Sequence, residues 1–110
     1  DTPDYKRYVP PLIFLRFLSL RYEERREQLE LMISEPQSEY YTKNKAESEA
    51  ILEDPDEYRR AQAFIVPKEA RWSYILQNAQ ADNIKIILDD ALEAMEKAYP
   101  EKLRGLLPRI

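Results

Sequence analysis

At 110 residues, with a net charge of −4 and 35% charged residues, the chain can bury roughly 65% of its unfolded surface around one core. It holds no histidine, no cysteine and a single glycine, Gly105. Those absences remove most zinc sites, Ser-His and Cys-His nucleophiles, disulfides, the Glu-x-x-His di-iron pattern and glycine-rich phosphate loops.

In chain order, Thr2-Pro3-Asp4 reads as a helix start, with Thr2 as N-cap and Pro3 at the first helical position. Pro10-Pro11 follows, and prolines inside a helix predict a kink or break. From Leu12 to Leu20 the chain is apolar on nearly every face, which predicts a central helix buried all round. Past Tyr22 it turns amphipathic, with Tyr22, Leu29, Met32 and Ile33 on one stripe. Glu23-Glu24-Arg25-Arg26-Glu27 then faces water, paired along the helix. Ser34 to Ser38 ends it. Tyr40 and Tyr41 follow, then a short acidic helix over Ala46–Glu53 stopped by Asp54-Pro55, then a turn or two from Asp56 to Ala63. Phe64-Ile65-Val66 favours an extended segment, broken by Pro67. Lys68 to Asn78 is predicted helical with Trp72, Ile75 and Leu76 inward. Asp82 is read as the cap of the next helix, whose Ile84, Ile87, Leu88, Ala91, Leu92 and Met95 recur at helical spacing. Pro100 stops that helix, and Gly105 is free to take the positive φ of a turn. The fold class is therefore mainly α: an irregular helical bundle around a central apolar helix, with a short extended segment near residues 64–66.

The acidic balance confines any DNA contact to a local basic cluster. Lys68 and Arg71 flank Trp72 near a helix start, where amides favour an anion, and Arg59, Arg60, Lys6 and Arg7 are further candidates. The competing reading pairs Arg71 with Glu69 or another carboxylate, and makes Trp72 a core anchor. Adjacent acids such as Asp89-Asp90 point in different directions along a helix and serve solubility rather than metal binding. Val9-Pro10-Pro11-Leu12 is a poor copy of the N-P-P-aromatic box of adenine methyltransferases, because valine cannot accept the target amine and leucine has no π face. No catalytic, cofactor-binding or metal residue is assigned. The apolar run is too short to span a bilayer and the acidic start is unlike a signal peptide. A cytoplasmic protein without membrane attachment is expected.

The F-x-V-P-x-x-A-R-W-S pattern at Phe64–Ser73 resembles the N-terminal helical domain of the modification (M) subunit of type I restriction-modification enzymes. The likeness extends through Tyr5-Lys6-Arg7-Tyr8-Val9, Leu12–Ser19, Glu23–Leu29, Ser38–Tyr41, Asp56–Arg59, Asp89–Lys97 and Leu103–Pro108, in order and at family spacing. It implies that residues 1–110 are a single N-terminal helical domain, cut from a larger subunit whose methyltransferase domain is not included. The parent enzyme would transfer a methyl group from S-adenosylmethionine, held downstream, to adenine N6 in double-stranded DNA. Its implied partners are a specificity (S) subunit, a second M subunit and a restriction (R) subunit, with the helical domain clamping DNA. A subunit-assembly module without DNA contact, docking through apolar faces and aromatics such as Tyr40 or Tyr41, is the alternative. An unrelated helical interaction domain is a third.

Overall fold

A computed structural model describes residues 5–110, so the helix start assigned to Thr2-Pro3-Asp4 lies outside the described residues. Among those described there are six α-helices, two 3-10 turns and no strand. The protein is mainly helical, as the composition requires. The helices are α1 (Val9–Ser34), α2 (Lys45–Leu52), α3 (Pro55–Arg59), α4 (Trp72–Asn78), α5 (Ile84–Ala98) and α6 (Pro100–Leu103). They gather into two compact units: residues up to Ser19 with Val66–Ile110, and Leu20–Ile65. Helix α1 supplies its first turns to one and its later turns to the other.

Two expectations for α1 are corrected. Pro10 and Pro11 neither kink nor break it, because they fall within its first turn, directly after a 3-10 turn over Tyr5–Tyr8. First-turn amides have no intrahelical acceptor, so their loss costs nothing there. Nor is the apolar run buried all round. Leu15 and Leu18 are buried, whereas Ile13 is 64% and Phe17 54% exposed. With Val9 they form an exposed stripe at four-residue intervals.

In the first unit α5 is the spine. Leu88, Ala91, Leu92 and Met95 are buried along one face, and the 3-10 turn Lys68–Ala70, α4 and α6 pack against it. The cap of α5 is Asn83 rather than Asp82. Asn83 Oδ1 accepts from the Gln80 amide at 2.6 Å, and its Nδ2 donates to the Asn78 carbonyl at 3.1 Å. One asparagine thus sews the α4–α5 connection with both ends of its amide, which an aspartate cannot do. Gly105 takes φ +77°. The following segment is strapped to α5: the Gly105 amide and the Arg109 guanidinium both donate to Glu96, and the Ile110 amide donates to Asp89.

In the second unit the later part of α1 buries Tyr22, Leu29 and Ile33. The Tyr22 and Tyr58 rings meet at 5.4 Å and 32°, and the fully buried Tyr58 donates its hydroxyl to the Leu52 carbonyl at 2.8 Å. Asn44 caps α2 by accepting from the Glu47 amide, and Asp54 caps α3 by accepting from the Asp56 amide. The E-E-R-R-E run is not a simple solvated face. Arg25 donates Nε to the Glu57 carbonyl at 2.8 Å, and Arg26 pairs with both Glu30 and Glu53. Arg21 reaches the carbonyls of Ala61 and Gln62. These arginines tie α1 to the α2–α3 excursion.

Candidate functional site

The basic segment begins where the extended reading of residues 64–66 is put to the test. Residues 63–67 are outside any helix and join no sheet, and Pro67 has φ −57° and ψ 151°, an extended polyproline-like conformation. Val66 and Ala70 are both fully buried. Plugging two positions four apart into the core leaves the intervening Lys68 and Glu69 in solvent. Lys68 opens the 3-10 turn Lys68–Ala70 and makes no ion pair with any described residue. Arg71, half-buried, donates Nε to the Val66 carbonyl at 2.8 Å, which braces the turn across its base.

At the following helix start one amide is already engaged. α4 begins at Trp72, and the Trp72 amide donates to Ser19 Oγ at 2.8 Å, so this donor is already used. Trp72 itself is half-buried, Ile75 is buried, and Leu76 is 65% exposed rather than inward. An open recess lined by Pro67, Glu69, Asp90, Glu93, Ala94 and Lys97 adjoins the segment. Its three carboxylates repel phosphate, so any DNA contact here is made by the basic side chains themselves.

In the second unit Arg59 and Arg60 are adjacent and exposed, lining a shallow recess with Asp56. Each is engaged. Arg59 pairs with Asp56 at 3.0 Å; Arg60 lies 3.3 Å from Glu57 and donates to the Tyr40 hydroxyl at 3.0 Å. Glu57, only 8% exposed, also accepts from the Tyr40 hydroxyl at 2.7 Å and faces Arg25 at 3.9 Å. The hydrogen bond to Glu57, then burial, raises the Tyr40 pKa above its usual value. Arg60 therefore serves a buried carboxylate first. Lys6 and Arg7 lie exposed in the opening 3-10 turn, in the first unit with Lys68 and Arg71.

Sequence reasoning missed the roles of Ser19 and Glu57, and offered Tyr40 as a docking aromatic where its hydroxyl bonds Glu57 and Arg60. Ser19 carried a legible signal, a hydroxyl inside an apolar run that must find partners. Glu57 carried little, since only Arg60 lies near it in sequence, while Tyr40 and Arg25 are 17 and 32 residues away. Among the described residues no cluster of acidic groups is arranged to hold a metal, and no helix is long and apolar enough to cross a membrane.

Comparison with known proteins matches this arrangement to one family. The HsdM N-terminal domain model aligns with residues 1–109. The chain is 42% identical over 110 residues to the type I restriction enzyme MjaIX methylase subunit of Methanocaldococcus jannaschii. That alignment covers 100% of this chain and 20% of the relative, so the chain spans about a fifth of the length of the curated relative it matches. No solved structure gives a significant match. With nearly every residue aligned, the chain belongs to the HsdM N-terminal domain family.

Proposed function

We propose that this chain is the accessory helical domain of an adenine-N6 DNA methyltransferase. It helps to clamp DNA and to assemble the enzyme, while S-adenosylmethionine and the reacting base are held in another part of the M subunit. The S subunit, a second M subunit and the R subunit are its partners. The observation that carries the reading is the Lys68–Arg71 segment. It presents an exposed lysine and a braced arginine on a backbone held by buried residues on either side. Lys6 and Arg7 supplement it. Phosphate contacts of this kind position DNA without reading its sequence, which suits an enzyme whose sequence reading is assigned to another subunit.

The test is DNA affinity of the intact enzyme against salt concentration, with Lys68→Glu and Arg71→Glu. Each lost phosphate contact makes the slope of log K against log salt shallower by about 0.9. An unchanged slope in both variants removes the DNA-contact reading. The assembly reading is favoured by a separate observation, the exposed Val9 and Ile13 on α1. It requires instead that aspartate at those positions weaken subunit association with no change in salt slope.

A further inference from the structure

Ser19 is fully buried within the apolar run of α1, where a hydroxyl is tolerated only if its hydrogen-bonding capacity is used. Its Oγ accepts from the Trp72 amide at 2.8 Å and donates to the Ala70 carbonyl at 3.4 Å. Those two backbone groups bracket Arg71. The 3-10 turn that starts at Lys68 is closed by the Ala70 amide on the Pro67 carbonyl and the Arg71 amide on the Lys68 carbonyl. Arg71 Nε returns to the Val66 carbonyl. The basic segment is thus held internally by its own turn, and Ser19 of α1 bonds its backbone on both sides of Arg71.

We propose that Ser19 is the positioning residue of this segment. Its hydroxyl fixes the backbone from which Lys68 and Arg71 meet a DNA phosphate, and DNA affinity depends on it although it touches no phosphate. The inference rests on the DNA-contact reading above and adds to it the residue that preorganises the contact. An alanine at position 19 keeps the volume within one oxygen atom, so it isolates the hydroxyl from the packing. Without that acceptor the Trp72 amide loses its partner, and the turn gains freedom that must be lost again on binding.

The experiment compares the intact methyltransferase with its Ser19→Ala, Lys68→Ala/Arg71→Ala and triple variants. Duplex DNA affinity is measured across a salt series, and amide hydrogen exchange is followed at Trp72 and along α5. Ser19→Ala is expected to weaken DNA binding about three- to tenfold, with a shallower salt slope. Exchange should quicken at Trp72 and stay unchanged along α5. Added to the Lys68/Arg71 double variant it should cost nothing more, because the groups it positions are gone. Full affinity in Ser19→Ala, an equal loss in both backgrounds, or faster exchange along α5 would overturn the positioning role while leaving the DNA reading intact. An unchanged salt slope in Lys68→Ala/Arg71→Ala would remove that reading, and the Ser19 role with it.

Discussion

Gln62 is the residue whose local chemistry and backbone disagree most plainly. It adopts φ 53°, the only positive φ among the described non-glycine residues. It sits at the end of α3, where the Ala63 amide donates to the Tyr58 carbonyl and the Gln62 amide to the Arg59 carbonyl. That pair of bonds is the Schellman closure, whose left-handed position glycine fills at least cost. Gln62→Gly relieves the side-chain strain and raises chain entropy in the unfolded state. The expected net result is about 0.5–1 kcal/mol of added stability, read from chemical denaturation. A loss of stability would mean that the glutamine side chain carries a contact worth more than the strain. The carbonyls exposed by this turn also explain Arg21, whose guanidinium meets those of Ala61 and Gln62, where the helix dipole favours a cation. None of this was legible in the sequence, because glutamine is an ordinary helix former and gives no turn signal.

At the scale of elements, α5 was the most legible part of the chain. Six apolar residues at helical spacing predict one buried face, and Leu88, Ala91, Leu92 and Met95 occupy it. α1 was legible as a helix and illegible as a packing partner. An all-apolar run says nothing about which faces find neighbours, and the first-turn placement of Pro10-Pro11 depends on where the helix begins. The strap on α5 was not foreseen, since its acceptors lie nine to twenty-one residues before their donors. It makes an acid-sensitive element. Burial by itself would raise the Asp89 pKa, but the hydrogen bond from the Ile110 amide and the Lys85 ammonium more than offset it, and the carboxyl titrates below its usual 3.8. A lowered folded pKa contributes stability that is present above the unfolded value and is lost as the pH falls through the folded one. Acidification from about pH 5 downward should therefore loosen this region, seen as faster amide exchange at Ile110. Asp89→Asn should abolish that pH dependence while leaving the unfolding of the second unit unchanged. A wild-type Ile110 amide that exchanges at one rate from neutral pH to pH 3, after correction for intrinsic chemistry, would contradict it.

For the whole molecule, the family was legible in the order and spacing of short motifs, none of them specific alone. The basic residues were legible as types and less so as contacts. Lys68 and Arg60 look alike in sequence, yet Lys68 stands in solvent while Arg60 is committed to Glu57 and Tyr40. Part of that difference is local, the i,i+3 pair of Arg60 with Glu57, and part comes from Tyr40, 20 positions away, which no local pattern encodes. Among the described residues, both units share a set of side chains that hold backbone in place. The direct check is equilibrium binding of S-adenosylmethionine to this 110-residue chain, verified as helical by circular dichroism, beside the intact methyltransferase. The chain should take up no methyl donor at concentrations that saturate the enzyme. Saturable binding by the chain, with an affinity near that of the intact protein, would place part of the reaction chemistry within these helices and contradict their reading as an accessory domain.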